Sequence, residues 1–213
     1  MGTPEQAMHL PAVELRGPSH RMAWALWIIA SVIGGVLAAL VAWQIRTFFI
    51  RGPDFIRQDA RYAATVVEAL IFGGAQWLVW RRYRFELDWW VPVSVAANLL
   101  NAIVVIPTVL RFAEGTGVIS PRAVMIAGAA ALAAAGLVVG TAQALVLHRP
   151  AGNMAWAWVP ATVIGGAFAG ALTTALSARL FGFPYIVFIS VLTATGALLT
   201  AASQAPVFLR LLR

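Results

Sequence analysis

The chain has 213 residues, of which 61% are apolar and 11% charged, and its mean hydropathy is +0.83. Soluble domains hold about 45–50% apolar residues, so a freely soluble globular protein is excluded and a membrane protein is expected. The net charge is +7, every basic residue is arginine and cysteine is absent, which removes disulfides, thiolate chemistry and cysteine metal sites, while the arginines flank apolar runs and point to lipid headgroups rather than nucleic acid.

In chain order, residues 1–21 read as a polar N-terminal tail carrying Pro4, Pro11, Pro18, His9 and His20. Six apolar runs follow, at 22–46, 61–82, 89–111, 122–149, 155–179 and 184–209. Each is roughly 20 residues or longer, enough to cross about 30 Å of hydrocarbon as a helix. The first run is too long and too far from the N-terminus for a cleavable signal peptide, so it is expected to stay as a helix. The predicted fold is all-α, a polytopic membrane protein with six transmembrane helices in a single domain over 22–213.

The runs repeat in pairs. A helix ending Gly73-x-x-Gln76-x-x-Val79-x-x-Arg82 recurs as Gly140-x-x-Gln143-x-x-Val146-x-x-Arg149, and more loosely as Ala201-x-x-Gln204-x-x-Val207-x-x-Arg210. A helix opening on Trp27 with Ser31 and Gly35 recurs from Trp90 with Ser94 and Asn98, and from Trp158 with Thr162 and Gly166. The chain therefore divides into three helical hairpins, 22–84, 85–151 and 152–213, which re-enter the membrane in the same sense. Three parallel units are most simply packed as a pseudo-threefold bundle.

The spacing has a structural rationale. A small residue three positions before each glutamine lets a neighbouring backbone approach, and the Gln76, Gln143 and Gln204 amides are then placed to bond across to Ser31, Ser94 and Thr162. Such bonds contribute about 0.6–2 kcal/mol each. Arg82, Arg149 and Arg210 mark the membrane interface. Trp27, Trp90 and Trp158 are expected to anchor it, since every tryptophan but Trp43 falls on the side where these helices begin and end. The arginines divide almost evenly between the two sides, and the cluster Arg81, Arg82 and Arg84 is taken to place both termini in the cytoplasm.

Three polar residues break the repeat. Glu68 stands where the other copies have Ala135 and Gly196, Asn98 where they have Gly35 and Gly166, and Asn101 where they have Ala38 and Ala169. A carboxylate within a span must face the bundle, be protonated or have a partner. Glu68, Asn98 and Asn101 are therefore a candidate intramembrane polar site, the carboxylate meeting the two amides. The bland alternative is that Glu68 bonds locally and the asparagines join helices.

His148, beside Arg149, is the one residue that would suit a haem or pigment, but a lone imidazole at the interface is more simply surface, and no cofactor or metal is expected. Catalytic signatures such as His-Glu-x-x-His, Gly-x-Ser-x-Gly or a phosphate loop are absent, so the chain is not expected to be an enzyme.

In "GGAQWLVWRR" and "WWVP" the chain resembles bacterial multi-pass membrane proteins that carry repeated Gly-x-x-Gln-Trp-x-Val-Leu-Arg segments. It departs from that pattern at Ala144, where tryptophan is the rule, and at Pro206 in the third copy. The resemblance implies a bacterial inner-membrane location and no particular activity. Two functions remain. Glycine- and alanine-rich faces, short loops and the lack of catalytic groups favour a non-catalytic scaffold or accessory subunit bound to other membrane subunits. Glu68, Asn98 and Asn101 favour a small-solute or proton-coupled transporter or channel.

Overall fold

The computed structural model describes residues 20–50, 52–83, 85–115 and 120–212, so the expected tail lies outside them apart from its last two residues. Helices α1 (His20–Phe48), α2 (Asp54–Arg82), α3 (Trp90–Leu100), α4 (Ile106–Gly115), α5 (Pro121–Ala151), α6 (Trp158–Leu180) and α7 (Tyr185–Leu211) account for nearly all of the described residues, among which there is no strand. Five helical stretches are long and apolar enough to cross a membrane: Arg21–Phe48, Ile56–Arg82, Trp90–Phe112, Pro121–Leu180 and Tyr185–Leu211.

The fourth stretch, 60 residues long, contains two of the expected runs. It folds back on itself through a tight 3₁₀ turn, Gly152–Ala157. Gly152 makes the reversal at φ 56°, a left-handed conformation that glycine adopts without strain, and its N–H caps the His148 carbonyl. The His148 Nδ1 in turn lies 3.0 Å from the Gly152 carbonyl oxygen, so this imidazole ties the turn to the end of α5. The two legs then pack antiparallel with almost no space between backbones. A Cβ on Gly136 would stand 2.7 Å from the Thr162 carbonyl oxygen, and one on Gly170 would collide with the carbonyl of Gly128.

The third expected run, 89–111, is not a uniform helix. A π-helical segment, Asn101–Val105, joins α3 to α4. Pro107 supplies the reason, since it has no N–H for the carbonyl four residues back and its ring presses on that turn. One wider turn absorbs both problems, with the Ile106 N–H reaching the Asn101 carbonyl five residues earlier. Helix α2 also begins earlier than the run at 61–82, its first turns presenting exposed Arg57, Asp59 and Arg61 after Pro53.

The helices pack in chain order: α1 on α2, α2 on α3, the α3–α4 span on α5, α5 on α6, α6 on α7, and α7 back on α1. This closed ring turns its small residues inward. Gly34 meets Ala75, Gly35 meets Ala197, and Gly165 lies against Thr200 and Ser203. Large apolar side chains at four-residue spacing face out, Ile29, Ile33, Leu37 and Val41 on α1 and Ile164, Phe168 and Leu172 on α6. Such faces suit contact with lipid chains, and the glycine faces are occupied within the molecule.

Candidate functional site: a layered interior closed at one end

Residues four apart on a helix share a face, and the inward face of every helix in the ring can be followed layer by layer. At the end where the described chain starts and finishes, Trp27, Trp90 and Trp158 meet Trp80, Leu147 and Phe208, all six fully buried. Trp27 of α1, Trp90 of α3 and Trp158 of α6 contact one another edge-on, at ring separations of 5.4 Å (Trp27–Trp158), 5.9 Å (Trp90–Trp158) and 6.5 Å (Trp27–Trp90). Phe208 stacks on Trp27 at 5.0 Å and meets Trp80 edge-on at 4.8 Å. Each such pair contributes about 0.5–1.5 kcal/mol beyond its buried area. Together they form an aromatic crown that seals this end.

The crown corrects an expectation. Trp27, Trp90 and Trp158 are not interfacial anchors, because each lies four residues from a buried Ser31, Ser94 or Thr162 and must point the same way. Trp24, Trp89 and Trp156 are the exposed tryptophans at this end, and Arg82, Arg149 and Arg210 are exposed there as well. Tyr83, just beyond α2, packs edge-on against Phe208, and burial raises its phenol above the usual range while the Arg82 guanidinium opposes the shift.

One turn in from the crown lies a polar layer. Gln76 Nε2 donates to Ser31 Oγ (3.3 Å), Gln143 Nε2 to Ser94 Oγ (3.1 Å) and Gln204 Nε2 to Thr162 Oγ1 (2.9 Å), each bond buried and each within one hairpin. The glycine of the motif serves the next hairpin instead: a Cβ on Gly73 would stand 3.3 Å from Ser94 Cβ, and one on Gly140 3.0 Å from Thr162 Cβ. Each of these two hydroxyl residues is thus held between its own hairpin's glutamine and the preceding hairpin's glycine. Trp158 Nε1 adds a donation to Gln143 Oε1 at 2.9 Å, joining the polar layer to the crown.

Beyond the polar layer the interior widens into a cavity of about 600 Å³. Its floor is Ser94, Gln143 and Thr162, and helices α1 to α7 all contribute to its wall. Phe72, Val139 and Thr200 line it one turn from the glutamines, with Gly35, Asn98 and Gly166 facing them. Further out come Glu68, Ala135 and Gly196, with Ala38, Asn101 and Ala169, and Arg46 stands at the mouth.

Glu68, Asn98 and Asn101 all line this cavity, but the carboxylate does not meet the amides as expected. Glu68 Oε2 pairs with Arg46 Nη2 at 3.2 Å, and its side chain is 39% exposed. Asn98 Nδ2 donates to the Ser94 carbonyl of its own helix (2.8 Å), and buried Asn101 Nδ2 donates to the Ala135 carbonyl of α5 (3.2 Å). The wall is therefore unequal: an ion pair and two amides on the α2 and α3 side, against small and apolar side chains with Thr173, Thr193 and Thr200 on the α6 and α7 side. The sequence alone does not pair Arg46 with Glu68, because the two lie in different helices and the packing of α1 on α2 brings them together.

Among the described residues no group of three His, Asp or Glu side chains could hold a metal ion. Comparison of the chain with protein families, with curated proteins and with solved structures gave no match, and function rests on the geometry.

Proposed function

We propose that the chain is a six-span, pseudo-threefold protein of the bacterial inner membrane, its termini cytoplasmic, that binds a small solute in its central cavity and carries it across the bilayer without chemical change. The observation that carries this reading is the cavity itself, a chamber of about 600 Å³ with one sealed end and one charged mouth. Small-molecule sites are concave, mostly apolar and fitted with a few fixed polar groups, and this chamber has that character. The competing reading, a scaffold subunit, leaned on small-residue faces free for a partner. Those faces are used inside the ring, and large apolar side chains face outward.

The wall also argues for a class of solute. Arg46 and Glu68 neutralise each other at the mouth, so a lone cation would meet the guanidinium and a lone anion the carboxylate. A neutral or zwitterionic molecule meets neither penalty. One amide-bearing wall and one apolar wall suit a compact amphipathic solute, its polar groups toward Asn98 and its apolar part toward Leu192 and Ala169.

A cavity-filling variant tests this. A Cβ on Gly196 meets only Thr173 and Ala169 side-chain carbons at 3.8 and 3.9 Å, which is ordinary contact, so Gly196→Phe is expected to fold and occupy the chamber. In nanodiscs, a panel of neutral and zwitterionic amphipathic compounds is expected to include some that raise the melting temperature of the parent and not of Gly196→Phe. Equal stabilisation of both proteins by every active compound, or none of either, would contradict the reading, and co-purification of a stoichiometric membrane subunit in its place would favour the scaffold.

A further inference from the structure

The crown and the polar layer are joined at one of three equivalent places. Trp158, which opens the third hairpin, donates its indole N–H to Gln143 of the second. By the repeat, Trp90 stands to Gln76, and Trp27 to Gln204, as Trp158 stands to Gln143. At those two places both halves of the bond are present and unmade: the Nε1 atoms of Trp27 and Trp90 and the Oε1 atoms of Gln76 and Gln204 are buried without a partner. Buried polar atoms left in that condition are rare in folded proteins, and four of the seven among the described residues are donors and acceptors that the repeat would pair, the others being Trp80 Nε1, Tyr83 Oη and Asn101 Oδ1.

We infer that the three tryptophan–glutamine pairs are latches on a gate, and that the aromatic crown opens and closes the terminus-side end of the cavity by making and breaking them. This rests on the transport reading of the same cavity. Each latch runs from the first helix of one hairpin to the second helix of the hairpin before it, so three closed latches would link the hairpins all the way around the axis. Each glutamine keeps its Ser or Thr bond whether its latch is made or not, because the amide nitrogen serves the hydroxyl and the amide oxygen the indole. The bond inside each hairpin thus persists while the hairpins part, and the polar layer opens with the crown. One closed and two open latches describe a crown held partway, with its rings still in contact.

The chain has no cysteine, so one introduced thiol reports on the gate. Thr200 lines the chamber one turn from Gln204, and Thr200→Cys in oriented vesicles would be labelled from each face with a membrane-impermeant maleimide. The parent is expected to label from the Arg46 face and only slowly from the terminus face. Replacing Trp27, Trp90 and Trp158 with phenylalanine keeps the rings and removes the donors. Labelling from the terminus face should then rise about tenfold, the shift expected when bonds of this kind are lost from a closed state, with labelling from the Arg46 face unchanged. Trp158→Phe alone should give a smaller rise, and serves if the triple variant does not fold. Terminus-face labelling that stays at the parent rate in a folded variant overturns the gate and leaves the chamber standing. Absence of labelling from the Arg46 face in the parent overturns the chamber, and the gate with it.

Discussion

Among the described residues, Trp158, Gln143 and Ser94 form the one complete relay from crown to polar layer, and its members are expected to be coupled. An indole N–H gives to an amide oxygen, and the amide nitrogen gives to a hydroxyl. Loss of either end leaves a buried group unpaired, at about 1–3 kcal/mol. A double-mutant cycle of Gln143→Leu and Trp158→Phe is expected to show a coupling of about 1 kcal/mol in detergent unfolding; additive costs would mean that the bond contributes nothing. Glu68 should behave differently. Its bond to Arg46 is half-exposed, and such pairs contribute about 0–1 kcal/mol. Glu68→Gln is thus expected to fold with nearly unchanged stability while weakening solute binding, measured by the same thermal shifts. At this scale the sequence pairs each glutamine with its Ser or Thr, because a repeated motif with a small residue three positions before the glutamine carries that information. It also held a signal that goes against interfacial tryptophans: if Ser31 faces the interior, Trp27, one turn away, does too. The Arg46–Glu68 pair was not legible, since it joins residues 22 apart in different helices and only the packing of α1 on α2 brings them together.

At the scale of the helices, packing is decided by where backbones can touch. The α5–α6 hairpin closes on glycines, and Gly170→Ala would drive a methyl into the carbonyl of Gly128. Backbone cannot yield as a side chain does, so the substitution is expected to cost about 1–3 kcal/mol and to lower the yield of folded protein. Gly74→Ala is the control, since its Cβ meets nothing within 4 Å, and the two should differ clearly in melting temperature. Equal behaviour would mean that α5 and α6 lie further apart than described. Apolar runs located these helices in sequence to within a few residues, with α2 the exception. Its charged first turns carry no apolar signal, yet continue the helix after Pro53. The π segment was equally hidden. Pro107 announces a break in regular bonding, but several distortions relieve a proline, and only the backbone shows which one is adopted.

For the whole molecule, helices packed in chain order close into a ring, and the polar side chains on their inward faces furnish its interior. Those faces form layers: crown, polar layer, then a chamber whose one polar wall comes from Glu68, Asn98 and Asn101. A hydropathy profile registers how apolar a span is and not which way its residues point, so the chamber's volume lay beyond the sequence while the positions that would line it did not. The measurement that bears most directly on this account is a sided accessibility scan of single cysteines at Thr193, Gly196, Thr200 and Phe208 in oriented vesicles. The account predicts that the first three react with a membrane-impermeant maleimide from the Arg46 face, more slowly with depth, and that Phe208→Cys, within the crown, does not. Uniform protection at all four would mean a solid bundle with no chamber, and equal labelling from both faces would mean an open pore with no seal.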